Sequence, residues 1–169
     1  MSIDWAAVYH TTYADLVRFL YRKIWDADQA QDLAQETFVR ALDHAPENPR
    51  AWLFTVAANL ARDTARSVIR RRKHLALIKS EVAADPPVAV DPSDRVESSD
   101  QLAAVRRALE QLTERDREAL LLWDAGFTYQ EMAAQLGLSL GSVGTTLARA
   151  RRKLVEAHER IEGGHVASG

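Results

Sequence analysis

The sequence predicts an all-α protein made of two small helical domains joined by a flexible linker, the second containing a helix-turn-helix. Apolar residues recur at helical spacing towards both ends of the chain, whereas the stretch between them is rich in proline and acids and shows no periodicity. Near the C-terminus two helix N-caps lie close together with a glycine between them. A length of 169 residues suits one domain or two small ones.

The first domain, assigned to residues 1–76, is predicted to contain three helices. The spacing of apolar residues indicates helices over Asp4–Lys23 and Asp26–Leu42. A third helix begins at Pro49, because proline suits the first helical position and an asparagine stands before it as a cap. Nothing interrupts this helix before about Lys73, so it is predicted to be long.

One face of the third helix combines an indole, an amide and several cations. A rotation of 100° per residue brings together six side chains, the "α3 face": Trp52, Asn59, Arg62, Arg66, Arg70 and Lys73. Indole stacks on unpaired bases, asparagine bonds a base edge and arginine holds phosphates, so this face suits single-stranded nucleic acid. A tryptophan near a helix start is more often a core residue, and that alternative stays open.

Acidic and basic residues are segregated along the chain, although their numbers nearly balance. There are 22 Lys and Arg against 24 Asp and Glu, a formal net charge of -2. Residues 26–36 contain four acids and no base, whereas residues 62–73 contain six bases and one acid. Because the net charge is close to zero, long-range attraction to DNA is weak, and another component is expected to bring the protein to DNA.

The composition argues against several kinds of site. The chain has no cysteine, which excludes disulfides and cysteine-ligated metals and fits a reducing cytoplasm. The histidines show no metal-ligand spacing, and no phosphate loop or nucleophile motif occurs, so we expect no cofactor, no metal and no enzymatic activity. Early charged residues predict that no signal peptide is present, and no apolar run is long enough for a membrane span; a cytoplasmic location is expected.

The segments outside the two domains have compositions typical of disordered chain. Residues 77–100 are predicted to form a flexible acidic linker, since Ser80–Asp100 holds three prolines, six acids and one arginine. An ordered loop on a domain surface is the alternative. Residues 161–169 are predicted to be a disordered tail.

The second domain, assigned to residues 101–160, contains the predicted helix-turn-helix. Thr128 and Glu131 have capping-box spacing, Ser139 can cap the next helix, and Gly137 suits a left-handed helix end. The last helix has an apolar stripe that is predicted to pack inward: Leu140, Val143, Leu147, Ala150 and Leu154. Its other face carries small residues and arginines: Gly141, Thr145, Ala148, Arg149 and Arg152. This layout favours DNA binding, with a plain helical bundle as the alternative.

Two long motifs, in order along the chain, carry a family resemblance. The first is DADQAQDLAQETFVRAL followed by PRAWLFTVAANLARDTAR; the second is LTERDREALLLWDAGFTYQEMAAQLGLSLGSVGTTLARARRKL. Together they resemble a bacterial RNA polymerase sigma factor of the extracytoplasmic-function (ECF) type, in the sigma-70 family. The resemblance covers roughly residues 5–75 and 100–158. It implies a transcription initiation factor without catalysis of its own, whose two domains are sigma regions 2 and 4.

The resemblance also implies partners and the residues that contact them. The polymerase β′ clamp helices would be bound by Asp32, Leu33, Gln35, Glu36 and Phe38. The melted -10 element would be held by Asp43, His44, Glu47, Asn48, Trp52, Asn59, Arg62 and Arg66. The -35 element would be read in the major groove by Thr128, Tyr129, Ser142, Thr145, Thr146, Arg149 and Arg152. Further implied partners are the polymerase β flap and an anti-sigma factor, while the linker would run toward the polymerase active-centre cleft.

The start of the last helix departs from the family pattern. The family commonly has a threonine, valine, lysine, serine, arginine run where this chain has Ser142, Val143, Gly144, Thr145 and Thr146, so two cations are missing. We expect weaker or differently spaced -35 contacts, since each lost phosphate contact reduces the salt slope by about 0.9.

A transcription regulator that binds an operator without polymerase would explain the helix-turn-helix equally well. It would leave the DLAQETF helix and the α3 face without a role. The sequence therefore favours the initiation factor and keeps the regulator as the alternative.

Overall fold

The structure is a computed structural model that describes residues 2–78 and 98–166. These residues form seven α-helices and the loops between them. The helices are α1 (Trp5–Ile24), α2 (Ala27–Ala41), α3 (Pro49–Ile78), α4 (Ser98–Glu110), α5 (Glu114–Asp124), α6 (Tyr129–Leu136) and α7 (Leu140–Val166). The described residues contain no strand, which confirms the all-α prediction. Most of the predicted linker lies outside the described residues; its first two residues belong to α3 and its last three to α4.

Helices α1, α2 and α3 form the first domain around a common apolar core. Leu16 and Leu20 of α1 and Leu53 and Phe54 of α3 are fully buried. Ala34 of α2 is also fully buried, and its small side chain allows the helices to approach closely. Each helix contributes one apolar stripe, so α2 and α3 each keep an outer face that does not pack into this core.

The starts of these three helices follow the capping chemistry of the sequence. Asp4 and Asp26 cap α1 and α2 by accepting hydrogen bonds from backbone N–H groups three residues later. Asn48 caps α3, accepting from the Ala51 N–H at 3.1 Å. The predicted cap and first turn of the third helix are therefore confirmed, and the helix runs on to Ile78.

Helices α4 to α7 form the second domain, and α6 and α7 are the predicted helix-turn-helix. Thr128 and Glu131 make the reciprocal hydrogen bonds of a capping box, with N···O distances of 3.2 and 3.0 Å. Gly137 ends α6 at φ +65°, a left-handed conformation that favours glycine. Val143, Leu147 and other members of the inward stripe pack into the domain.

Two features of α7 differ from the sequence prediction. The sequence predicts Leu140 in the inward stripe, but this residue is 59% exposed. It is the first residue of α7, and because helical side chains lean toward the N-terminus it lies beyond the packed part of the helix. The helix also continues to Val166, past the predicted start of the tail at residue 161. Glycine in a helix costs only about 1 kcal/mol, so Gly163 and Gly164 do not end it.

The two domains pack against each other through aromatic rings and an arginine. The rings of Phe54 and Phe127 meet edge to face with their centroids 4.8 Å apart. The Arg50 guanidinium lies over both rings, 5.0 and 5.1 Å from their centroids, and donates to the carbonyl of Ala125. Asp15 of α1 also holds Arg50, at 3.3 Å. The buried core is therefore continuous from one domain to the other.

Candidate nucleic-acid and protein interfaces

The outer face of α2 is acidic and exposed. Asp32, Gln35 and Glu36 share this face at helical spacing, and all three are exposed. Glu36 forms an ion pair with Arg40 at 2.7 Å, and both side chains are about half exposed. Val39 lies on the same face with 64% of its surface exposed, an apolar position that sequence reasoning missed. We call these four residues the "α2 face": Asp32, Gln35, Glu36 and Val39.

Two residues of the predicted polymerase-binding set lie beneath the α2 face. Leu33 and Phe38 are buried in the first domain, with 6% and 9% of their surfaces exposed. Phe38 packs against Tyr9, with ring centroids 5.0 Å apart. Both residues hold α2 in place and present little surface to a partner, so neither belongs to the α2 face.

The N-terminal end of the α3 face is an aromatic cluster. Trp52 is half-buried, and its ring lies 4.9 Å from His44 and 6.5 Å from Trp5, measured between centroids. His44 is placed by a hydrogen bond of 2.9 Å between its Nδ1 and the Arg40 carbonyl. The structure thus brings together Trp52 and His44, which the family resemblance assigns to one site, and adds Trp5. No sequence signal beyond aromaticity marked Trp5 for this position.

Further residues of the predicted -10 site lie along the loop and α3. Asp43 and Glu47 are exposed in the loop before α3. Asn59 is exposed and accepts a hydrogen bond from Arg62 at 2.8 Å. Arg66 is exposed, and its carbonyl accepts from Arg70. Asn59 and Arg66 are seven positions apart on α3, so they lie on one side of that helix.

Arg62 and Asn48 are held by the second domain. The Arg62 guanidinium binds Glu114 at 2.9 Å and Glu118 at 2.9 Å, and the Asn48 amide donates to Glu131 at 3.1 Å. Burial alone would lower the pKa of Arg62, but the hydrogen bond and charge of Glu118 outweigh it and raise that pKa. In this arrangement neither side chain is fully available to nucleic acid.

A second cation shares Glu118. Lys23 of α1 approaches Glu118 at 3.4 Å, with side-chain exposures of 9% and 5%. Burial lowers the pKa of Lys23, and the negative charge of Glu118 offsets only part of this effect. Sequence reasoning missed both residues, because nothing in a local pattern indicates that α1 and α5 meet.

The outer face of α7 carries the predicted duplex-reading residues. Thr145 and Arg152 are exposed, and Ser142 is half-buried beside its contact with Ser139, at 2.6 Å between hydroxyls. Tyr129 at the start of α6 is 44% exposed. Its ring lies 3.6 Å from the place where a Cβ on Gly144 would stand. The Tyr129 ring therefore lies beside α7 at Gly144.

Two other residues of the predicted -35 set have structural contacts. Thr146 is only 5% exposed, because it lies three residues after Val143 and four before Ala150 on the inward stripe. Thr146 is therefore not part of the proposed interface. The Thr128 side chain is used in the capping box of α6, although the residue is exposed.

A buried carboxylate orients two cations of α7. Asp116 is 1% exposed and receives Arg149 at 2.8 Å and Lys153 at 3.1 Å. Burial would raise the pKa of Asp116, but hydrogen bonds from Arg149 and Lys153 dominate and hold it below its ordinary value. Asp116 likewise raises the pKa of Arg149. This pairing, which the sequence did not indicate, ties one side of α7 to α5.

Neither a metal-binding cluster nor a membrane-spanning helix is found among the described residues. Within residues 2–78 and 98–166, no cluster of three His, Cys, Asp or Glu side chains is arranged to hold a metal ion. Over the same ranges, no helix has the length and hydropathy of a membrane span.

Comparisons with known proteins match both domains. The family model for Sigma-70 region 2 matches residues 8–73, and the model for Sigma-70, region 4 matches residues 102–154. The probable ECF RNA polymerase sigma factor SigI of Mycobacterium tuberculosis is 33% identical over an alignment of 164 residues, which covers 93% of this chain and 55% of that protein. The chain thus spans about half the length of that relative. The ferric citrate uptake sigma factor FecI of Escherichia coli is 30% identical, covering 88% of this chain and 87% of its own.

Two solved structures have the same fold. The sigma factor RpoE of Bartonella quintana, in complex with the anti-sigma factor NepR, has a TM-score of 0.62 and 25% identity over 91% of this chain and 96% of its own. CnrH, in complex with the cytosolic domain of CnrY, has a TM-score of 0.64 and 27% identity over 90% and 85%. Both sigma regions, in the family's order, thus lie in this chain. It belongs to the ECF group of sigma-70-family RNA polymerase sigma factors.

Proposed function

We propose that the protein is a transcription initiation factor that binds RNA polymerase core and directs it to specific promoters. The observation that carries this proposal is the presence in one chain of the α2 face, the α3 face and the helix-turn-helix. An operator-binding regulator needs only the last of these. The proposal assigns the protein no chemistry of its own: its role is to position polymerase and to hold DNA.

The α2 face is the proposed docking surface for the polymerase core. Asp32 and Glu36 supply negative charge, and Val39 supplies an exposed apolar contact beside them. Such a surface fits a partner that is basic with an adjoining apolar patch, and in this family the β′ clamp helices are the expected partner. The β flap is the expected partner of the second domain. The chain has a net charge of only -2, so the free protein has little long-range attraction to DNA. Docking on the polymerase would therefore deliver it to DNA.

The α3 face and its preceding loop are the proposed site for the opened -10 strand. Stacking of one base on an aromatic ring is worth about 1–3 kcal/mol, which is comparable to the cost of unstacking a base step. The rings of Trp52 and His44 lie with their centroids 4.9 Å apart and are tilted by 36°, so a base that stacks on either ring would extend this aromatic cluster. Asn59 and Arg66 lie further along the helix and can hold a base edge and a phosphate.

The reading face of α7 is the proposed site for the -35 duplex. Ser142 and Thr145 are short polar side chains near the helix start, while Arg149 and Arg152 follow one and two turns later. Tyr129 borders this face from α6. With glycine and a buried threonine where the family commonly has cations, phosphate contacts here are few, so recognition depends on polymerase docking.

We also propose an anti-sigma factor as a regulatory partner. The similar sigma factor RpoE was solved with the anti-sigma factor NepR, which supports this proposal. Isolation of the untagged native protein from its own cells tests it. Recovery of a stoichiometric partner other than polymerase supports the proposal, whereas recovery only as free protein or with polymerase contradicts it.

A defined transcription assay tests the main proposal. Purified protein, polymerase core and fragments of native genomic DNA should give run-off transcripts that neither protein gives alone. Glu36→Lys should abolish core binding in a pull-down, because it reverses a charge on the α2 face. The matched control is Glu162→Lys, which makes the same charge change near the end of α7. Tight operator binding at physiological salt by a protein with no affinity for core would overturn the proposal in favour of the regulator.

A further inference from the structure

The second domain covers part of the surface that the proposed function assigns to the opened -10 strand. Arg62 of the α3 face is bound by Glu114 and Glu118 of α5. Asn48, in the loop before α3, is bound by Glu131 of α6. Carboxylates of the second domain thus hold two residues of the proposed DNA site, one before α3 and one within it.

Glu118 binds Arg62 through donors that a phosphate would use. Both bonds come from one guanidinium nitrogen, Nη2, at 3.1 Å to Oε1 and 2.9 Å to Oε2. The Nε of the same guanidinium donates to Glu114 at 2.9 Å. Guanidinium groups recognise carboxylates and phosphates through the same fork of donors, so the two acids occupy the donors that a DNA backbone would need.

The contact is too extensive to be a single surface ion pair. Lys23 joins Glu118 in a nearly dry cluster, since their side chains are 9% and 5% exposed. At a second place Arg22 of α1 pairs with Asp124 at the end of α5. The Arg50 stack on Phe54 and Phe127 adds apolar contact between these polar groups. Exposed pairs alone contribute little, whereas a buried network with packed rings holds a defined arrangement.

We propose that the second domain is an intramolecular competitor for the -10 strand. In the closed form, defined by the contacts of Arg62 with Glu114 and Glu118, the α3 face cannot bind a DNA backbone at Arg62. DNA binding by the first domain therefore requires the domains to separate. This inference rests on the proposed function of the α3 face; the competitor is the chain's own second domain.

The expected size of the effect follows from the open fraction. When only the open form binds, the apparent Kd equals the intrinsic Kd divided by the open fraction. If about one molecule in ten is open, breaking the closed contact tightens single-strand binding by about tenfold.

Glu118→Lys tests the inference in the full-length chain. It places a third cation beside Lys23 and Arg62 and should open the molecule. Glu162→Lys is the matched control, because it makes the same charge change on α7 away from the contact. The chain has no cysteine, so dyes attached at Ala14→Cys and Ala134→Cys, both exposed positions, report the distance between the domains. Circular dichroism establishes that each variant is folded. Glu118→Gln removes the negative charge without reversing it, so it should separate the domains less than Glu118→Lys does.

Single-strand affinity is measured in parallel, by anisotropy of a labelled oligonucleotide of mixed sequence. We expect Glu118→Lys to lower energy transfer and to bind about tenfold more tightly than Glu162→Lys, with Glu118→Gln between the wild type and Glu118→Lys. Unchanged energy transfer in both Glu118 variants would overturn the inference, and so would reduced transfer without a gain in affinity. Run-off transcription with polymerase core separates the two proposals: transcription without competition refutes only this inference, and competition without transcription refutes only the proposed function.

Discussion

Gly144 occupies a position where the family commonly has lysine, and Gly144→Lys tests whether it faces DNA. The structure indicates that a side chain fits there. A Cβ on Gly144 would lie 3.6 Å from Tyr129 Cε2, which is ordinary van der Waals contact, and the φ of this glycine is not positive. The substitution should therefore be accepted without displacing the backbone of α7.

Two effects of different origin are expected, and their sizes can be worked out. Replacing glycine inside a helix by a good helix former stabilises it by about 0.7–1 kcal/mol. A new lysine on the reading face adds one phosphate contact and should steepen the salt dependence of duplex binding by about 0.9 in the log–log slope. Over a fourfold change in salt concentration this amounts to about a 3.5-fold larger loss of affinity.

The assay is anisotropy of a labelled duplex titrated with full-length protein at several salt concentrations. Gly144→Ala is the matched control, because it shares the gain in helix propensity and adds no charge. We expect both variants to resist urea better than the wild type and only Gly144→Lys to steepen the slope. Equal slopes for the two variants would show that position 144 does not face DNA. A loss of stability in both variants would show that a side chain at position 144 clashes with Tyr129.

Three further predictions concern other parts of the molecule. The folded pKa of Asp116 is depressed, so its contribution to stability is present above its unfolded pKa of about 3.9 and is lost as the pH falls through the lower folded value. Urea unfolding from pH 3 to pH 7 should accordingly be less pH-dependent for Asp116→Asn than for the wild type. Trp52→Ala should weaken single-strand binding in the opened Glu118→Lys background by about 1–3 kcal/mol, and Trp52→Phe should retain most of it; equal losses would exclude stacking. Phe127→Ala removes a ring that is 6% exposed and should lower the free energy of unfolding by about 3–5 kcal/mol, measured by denaturant titration; a change below about 1 kcal/mol would mean that the contact with Phe54 is not maintained.

Local chemistry explains which parts of the fold could be predicted from the sequence. The capping box of Thr128 and Glu131, the left-handed Gly137 and the Asn48 cap each involve residues within a few positions of one another, so spacing alone identifies them. Helical periodicity likewise identifies the inward stripe from Val143 onward. The same periodicity places Thr146 on that stripe, and only the family resemblance suggests that it contacts DNA.

Contacts between distant segments could not be predicted in this way. Arg62 and Glu118 are 56 positions apart, and each would serve equally well as an exposed charge on an isolated helix. The pairing of Asp116 with Arg149 joins two helices of the second domain across 33 positions. Opposite charges are abundant in this chain, so their sequence positions do not indicate which of them meet.

Arg62 has two roles, one in the proposed DNA site and one in the contact with α5, and these constrain how its position can change in evolution. A lineage that altered this side chain to suit a new promoter would also loosen its hold on Glu114 and Glu118. Substitutions on α5 would then be selected to restore the balance, even though α5 contributes nothing to the strand-binding surface. We therefore expect substitutions at positions 62 and 118 to be correlated among homologous chains.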